Sequence, residues 1–314
     1  MKLRLAHLLF SCLIFIAGPA LAAKVVIFQQ NSNLYINQAA SGFKDSLSKA
    51  GLEASYKNYN AQNDRSEAAE IVRQIIADQP DLILAVGTIA AQTTAAKIKD
   101  VPILFTAVTD PVFAGVTQSW DKPEGNVTGT SDLSPLADQA ALIKEIQPDI
   151  TTVGVIYNSS EINSVVQVKE FKNISLGLGL KVVEAITPNK GGVYQTAQTL
   201  IKKVQAVFVP TDNTVISAYE SILKFALTQK TPLYTAEANP LRKGGVASIS
   251  LNYYELGLKT GEMAIKILTN QAKPADLPVE KEDKFSLVLN AKYSNLIGLK
   301  IPEKVFERAQ EIIQ

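Results

Sequence analysis

The chain has 314 residues, with 31 lysines and arginines against 30 aspartates and glutamates, one cysteine and one histidine. That near-neutral balance gives a nucleic-acid or anionic-membrane partner nothing to hold. One cysteine excludes an intrachain disulfide, so stability must come from core burial, for which this length is ample, most naturally as two lobes.

Residues 1–22 read as a signal peptide. Lys2 and Arg4 start a short basic segment, Leu5 to Ala17 is almost unbroken apolar sequence, and Gly18-Pro19 leads into the small-x-small cut site Ala20-Leu21-Ala22. The apolar run of about 13 residues is well short of the roughly 20 that span a bilayer. Cys12 raises a lipoprotein alternative, but it lies mid-run behind the bulky Phe10. Cleavage would place the protein in the periplasm or otherwise outside the cytoplasm. It would also remove His7 and Cys12 and leave 29 basic against 30 acidic residues. The mature chain would then have no thiol nucleophile, imidazole base or soft metal ligand. No catalytic group, metal or cofactor is expected.

Onward from there, short apolar, β-branched runs alternate with longer amphipathic ones. Strands are predicted at 25–28, 82–86, 103–106, 153–157, 206–209 and 233–235. Helices are predicted at 36–50, 65–78, 137–146, 165–176, 192–202 and 215–228. A further strand near 244–249, a helix over 254–268, a loop at 274–278 and a last strand at 285–289 complete the chain. Such alternation indicates an α/β protein with parallel sheets covered on both faces.

An internal repeat divides the pattern. Val25–Phe28 matches Gly154–Tyr157, Phe43-Lys44 and Gly51-Leu52 match Phe171-Lys172 and Gly179-Leu180, and Val101–Leu104 matches Thr231–Tyr234. Asp110-Pro111 and Asn239-Pro240 follow at similar distances. The ordered matches imply two copies of one α/β unit, that is, two doubly wound lobes. Chain crossings near 126–130, 246–250 and 274–278 would form a three-crossover hinge. The expected lobes are 23–127 with 247–275, and 128–246 with 276–314.

Ligands of open parallel sheets bind beyond the carboxyl ends of the strands, near helix N-termini. The residues after each strand therefore form the candidate lining: Ser32, Thr88, Thr109 and Asp110 in the first lobe, and Asn158, Ser160, Asn163, Thr211, Asp212 and Glu237 in the second. Asp110, Asp212 and Glu237 have no lysine or arginine in their loops, and a buried acid needs a cation or several donors. A ligand ammonium would serve, while Thr88 and Ser160 could hold a carboxylate. Each has a plainer reading. Asp212 and Asn213 could cap the helix beginning at Val215, Ser160 and Asn163 could cap the helix that follows them, and Asp110-Pro111 is an ordinary turn pair. Tyr253 could stack on a ligand or pack a lobe edge. Paired acids could also do glycoside chemistry, but their matching places in two lobes suit a duplicated lining better.

Several runs then carry a resemblance: Phe105–Pro111, Gly125–Gly129, Gly154–Asn158 with Asn163-Ser164, Val209–Asn213, Asn252–Gly257 and Leu299–Pro302. Together they resemble the bacterial ABC-transporter substrate-binding family that includes binders of tryptophan and related aromatic amino acids. That resemblance implies the type I periplasmic-binding fold with hinge closure, an aromatic amino acid as ligand and a membrane permease as partner; a monomer suits a protein that must dock and leave. Another small solute such as a different amino acid, a peptide or a sugar, or a sensory protein docking on a receptor, is the alternative.

Overall fold

The computed structural model describes residues 22–314; the expected signal peptide, with His7 and Cys12, lies outside the described residues apart from Ala22. In chain order the first lobe contains β1 (Ala23–Gln29), α1 (Leu34–Lys49), β2 (Ala54–Asn60), α2 (Arg65–Asp78), β3 (Leu82–Val86), α3 (Thr88–Lys97), β4 (Ile103–Thr106) and β5 (Val127–Ser131). The second contains α4 (Leu136–Ile146), β6 (Thr152–Tyr157), α5 (Ile162–Gly177), β7 (Lys181–Ile186), α6 (Val193–Ile201), β8 (Ala206–Val209), α7 (Asn213–Ser217), α8 (Tyr219–Gln229), β9 (Leu233–Thr235), α9 (Ala238–Lys243) and β10 (Ala247–Leu251). The chain then returns to the first lobe for α10 (Tyr253–Leu268) and β11 (Glu280–Lys281), and ends in the second with β12 (Phe285–Asn290), α11 (Ala291–Ile297), α12 (Glu303–Phe306) and β13 (Glu311–Ile313).

The sheets run β11-β5-β4-β3-β1-β2 and β13-β12-β10-β9-β8-β6-β7. Reading β5-β4-β3-β1-β2 against β10-β9-β8-β6-β7 gives the same order twice, which is the duplication implied by the sequence repeat. The repeat extends to detail: Phe43 and Phe171 are both fully buried, and Gly51 and Gly179 share a φ of 72°. The strands β3 and β8, apolar throughout, and β4, apolar up to Thr106, lie inside their sheets and are buried along their length.

Sheet membership moves the lobe boundaries. β5 pairs with β4, and β11 pairs with β5, so both belong to the first lobe, whereas β10 pairs with β9 in the second. Each crossing therefore falls a few residues after its expected place, beyond Ser131, at Asn252 and at 282–284. The segment Val127–Ser131, with its Thr-Gly-Thr centre, lacks an apolar strand pattern. It is nevertheless a strand, and Gly129 sits so close to β4 that a Cβ there would lie 2.0 Å from the Phe105 carbonyl oxygen. One pairing departs from the parallel expectation. β10 leaves the second lobe at the hinge and β12 re-enters there, with Leu251 opposite Phe285, so β12 has to run antiparallel.

Two helices on one face of the first lobe are drawn unusually close. A Cβ on Gly42 of α1 would stand 2.0 Å from the Tyr254 carbonyl oxygen, one on Gly257 of α10 2.1 Å from that of Ala39, and one on Gly261 2.3 Å from Ser46 Cβ. Small residues at these positions let the backbones touch, and they fix α10 against α1 although it comes from the far end of the chain. Both helices begin at the cleft, so this packing places Tyr35 and Tyr253 with ring centroids 4.8 Å apart. Among the described residues, no helix is long and apolar enough to cross a membrane.

Gly257→Val is expected to cost about 2–3 kcal/mol of stability by overpacking this seam. Gly177→Ala, with nothing within 4 Å of the added carbon, should be neutral or stabilising by roughly 0.5 kcal/mol. Denaturant titration of both variants checks the contrast.

Candidate functional site

The carboxyl ends of the two sheets face each other, and three hydrogen bonds cross between the lobes. Asn31 Nδ2 donates to Asn213 Oδ1 at 2.7 Å, the Tyr35 hydroxyl donates to the same oxygen, and Arg65 Nη2 donates to the Ser160 carbonyl at 3.3 Å. A cavity of about 590 Å³ opens between the lobes, lined by Asn31, Ser32, Gln62, Arg65 and Ile89 on one side and Asn158, Ser160, Glu161, Asn189, Lys190 and Asn213 on the other. A second hollow of about 220 Å³ lies by the hinge, with Glu237, Asn239, Ser250 and Tyr253 in its wall.

A buried band of acids and tyrosines is built from the same loops. Among the described residues the buried carboxylates are Asp132, Glu161, Asp212 and Glu237, and no lysine or arginine is buried. Asp132 follows β5 directly; its oxygens accept from Thr109 Oγ1 at 2.9 Å and from the Tyr253 hydroxyl at 3.1 Å. Ala107, buried with a φ of 56°, turns the chain after β4 to bring Thr109 there. Glu237 follows β9, is 2% exposed, and neither of its carboxylate oxygens has a hydrogen-bond partner in the protein. Thr211 Oγ1 is likewise buried and unpartnered.

Burial pushes the Glu237 carboxyl well above the usual range, with the Asp132 charge adding to it, and burial raises Asp132 despite its two hydrogen bonds. The Tyr35 and Tyr253 hydroxyls are raised too, first by burial and then by the surrounding acids, which keeps them as donors. Asp212 is pushed up to about 7 by burial and by the neighbouring Glu161.

The expected lining residues divide in three. Thr88, Thr109, Thr211, Glu237 and Tyr253 are buried where the lobes meet, and Ser32, Asn158 and Ser160 line the outer cavity. The other three have structural partners. Asp212 caps α7 through Val215 N at 2.8 Å and accepts from Asn158 N at 2.7 Å, so both oxygens are spent. Asp110 accepts from Val112 N and Phe113 N at 3.1 and 2.9 Å in a half-exposed turn. Asn163 donates to the Thr211 carbonyl at 2.6 Å and positions that loop. Asn158 is similarly engaged, donating to Thr214 Oγ1 at 3.0 Å and accepting from Ser160 N at 3.0 Å. At the start of α3, Gly87 adopts a φ of 94°, and a Cβ there would meet Gln30 Oε1 at 2.8 Å. Gln30 Oε1 accepts from Ile89 N at 2.9 Å, which seats the helix whose first residue is Thr88.

Asp132 and Tyr35 were missed from sequence, and so was the role of Glu161 within the 158–163 loop. Asp132 lies after a segment read as a crossing; taking Val127–Ser131 as a strand would have found it by the same rule. Tyr35 sits one residue into α1, on the loop side, and Glu161 is the N-cap residue of α5, where its role is set by a loop some 50 residues away. Among the described residues no cluster of His, Cys, Asp and Glu is placed to hold a metal ion.

The raised acids set a pH dependence. A carboxyl raised in the fold favours its protonated form, so its contribution to stability is present below the ordinary carboxylate range and lost as pH rises through the raised value. For Asp212 that window runs from the usual 3.8 to about 7 and amounts to a few kcal/mol. The ligand-free protein is expected to melt lower at pH 7.5 than at pH 5. Glu237→Gln should melt higher than the parent at pH 7.5 and nearly equal to it at pH 5. Melting curves across this range check both.

Residues 24–313 match the family described as ABC transporter substrate binding protein. A tyrosine-binding protein of Clostridioides difficile is 35% identical over 259 residues, covering 81% of this chain and 75% of that protein. The structure of an ABC domain from Streptococcus pneumonia in complex with L-Trp has a TM-score of 0.88 at 34% identity, covering 92% of this chain and all of that one. A ligand-free, open substrate-binding protein with adhesive properties from Clostridium difficile has a TM-score of 0.73 at 36% identity, covering 93% and 99%. With a family match over nearly the whole described chain, two duplicated α/β lobes and a polar cleft between them, this chain belongs to the ABC transporter substrate-binding protein family.

Proposed function

We propose that the protein is the extracytoplasmic binding protein of an ABC importer and captures an aromatic L-amino acid between its lobes, delivering it to the membrane permease. The observation that carries this reading is Glu237, a buried carboxylate with no donor on either oxygen, beside Asp132 and without a buried base. Burying such a charge is strongly unfavourable unless a cation meets it, and an α-ammonium group supplies one together with its N–H donors. The ligand's carboxylate would be received by Thr88 at the start of α3 and by the unpartnered Thr211 hydroxyl, where hydroxyls and a helix N-terminus favour an anion. Its ring would lie against Tyr35 and Tyr253, which offer aromatic faces held by the glycine seam.

The aromatic side chain is supported by the relatives: a tyrosine-binding protein at 35% identity and a structure at 34% identity containing L-Trp. Binding, not catalysis, suits the site, because its acids lie among donors and tyrosines with no nucleophile–base pair at hand. Asp110, Asp212 and Asn163 would act by shaping loops, leaving Glu237 and Asp132 as the cation-holding groups.

Calorimetric titration with L-tryptophan, L-tyrosine and L-phenylalanine is expected to show binding. Indole-3-propionate, which keeps the ring and carboxylate but lacks the ammonium, should not bind. Glu237→Gln should weaken binding by roughly 2–4 kcal/mol, about 30- to 700-fold in Kd. Indole-3-propionate binding as tightly as tryptophan would refute the cation-based reading.

A further inference from the structure

The contact that joins the lobes at the edge of the outer cavity is built on one amide. Asn213, the first residue of α7, accepts on Oδ1 from Asn31 Nδ2 and from the Tyr35 hydroxyl, both in the opposite lobe. Its Nδ2 donates to Glu161 Oε2 at 2.7 Å, and its backbone N–H donates to the same oxygen at 2.9 Å. The other Glu161 oxygen accepts from Thr214 N at 2.8 Å and Thr214 Oγ1 at 2.6 Å. Both residues are buried, Glu161 at 3% and Asn213 at 5% exposure.

These bonds have a direction. An amide offers donors at one end and an acceptor at the other, whereas a carboxylate offers acceptors only. With its NH2 end held by Glu161, Asn213 has to present its carbonyl to the first lobe. There Asn31 and Tyr35 bring two donors to it. Glu161 meets four donors from its own lobe, so its oxygens are already engaged and it is not placed to hold the ligand's ammonium. A buried amide pointed the wrong way would set donor against donor across the closing gap.

We propose that Glu161 and Asn213 form a closing latch: Glu161 fixes the polarity of the Asn213 amide, and the first lobe closes on it through Asn31 and Tyr35. The latch sets the balance between open and closed lobes without choosing among ligands; it rests on the reading that the lobes close around a solute. Glu161 is thus a positioning residue, acting through Asn213. Glu161→Gln, nearly isosteric, removes the polarity, because its own NH2 group can donate to Asn213 Oδ1 and compete with the first lobe. Asn213→Ala removes the acceptor and leaves the two Glu161 bonds to Thr214 in place. Tyr35→Phe removes one donor and keeps the ring.

Stopped-flow measurement with L-tryptophan, L-tyrosine and L-phenylalanine tests the latch. Glu161→Gln and Asn213→Ala are expected to raise the dissociation rate about tenfold for all three ligands alike, as weakening or loss of the buried bonds from Asn31 and Tyr35 would. Tyr35→Phe should have little further effect in the Asn213→Ala background. Unchanged dissociation rates in both single variants would overturn the latch. So would losses that differ by ligand, or fully additive effects of Tyr35→Phe and Asn213→Ala. Failure of all three amino acids to bind the parent protein would instead remove the ligand assignment. The latch is then read from X-ray scattering of the ligand-free proteins, where both Glu161→Gln and Asn213→Ala should have a larger radius of gyration than the parent; equal radii would overturn it.

Discussion

Among the described residues four carboxylates are buried where the two lobes meet, and no lysine or arginine is buried with them. Desolvating a carboxylate is costly enough that a fold normally supplies a cation, a set of donors, or a proton. Glu161 and Asp212 meet donors, three of them backbone N–H groups at the start of α7. Asp132 meets two hydroxyls. Glu237 meets none, and its burial favours the protonated form. The cleft is therefore arranged around an unmet electrostatic demand, and the remainder of the structure holds that demand in place.

The frame that does so comes from distant parts of the chain. Duplicate sheets bring the carboxyl ends of their strands together, so that loops after β1, β2 and β3 of one and β6, β7 and β8 of the other line one cavity. Glycines in α1 and α10 let those helices approach until backbone meets backbone, and this fixes Tyr35 and Tyr253 as a pair beside Asp132. The hydroxyl of Tyr35 reaches across to Asn213 and takes part in joining the lobes. Under the proposed reading the same residue borders the ligand, so binding and closure would be coupled through a shared side chain, and a ligand contacting both lobes would shift the closed population by its preference for that state.

Much of this architecture was legible in the sequence. Apolar, β-branched runs marked the inner strands, and the shift of about 130 residues between repeats anticipated the two lobes. Glu237 was legible as an acid after a strand with no base nearby. What could not be read was the difference between acids that are spent and acids that are free. Asp212 and Glu237 occupy the same kind of position, yet Asp212 caps a helix and Glu237 has no partner; only the loop geometry separates them. Short strands with mixed composition also escaped, because Val127–Ser131 owes its place to Gly129 fitting against Phe105 and not to an apolar pattern. That single strand carried Asp132 and the first lobe boundary with it.

The coupling between a buried acid and a cationic ligand has one direct thermodynamic signature. Protons held by raised carboxyls in the free cleft must leave when an ammonium group arrives. Calorimetry of L-tryptophan binding at pH 5.5, in buffers of differing ionisation enthalpy, should therefore show net proton release, falling in Glu237→Gln. Binding with no proton release in the parent protein, or release unchanged in the variant, would contradict the assignment of Glu237 as the group that receives the cation.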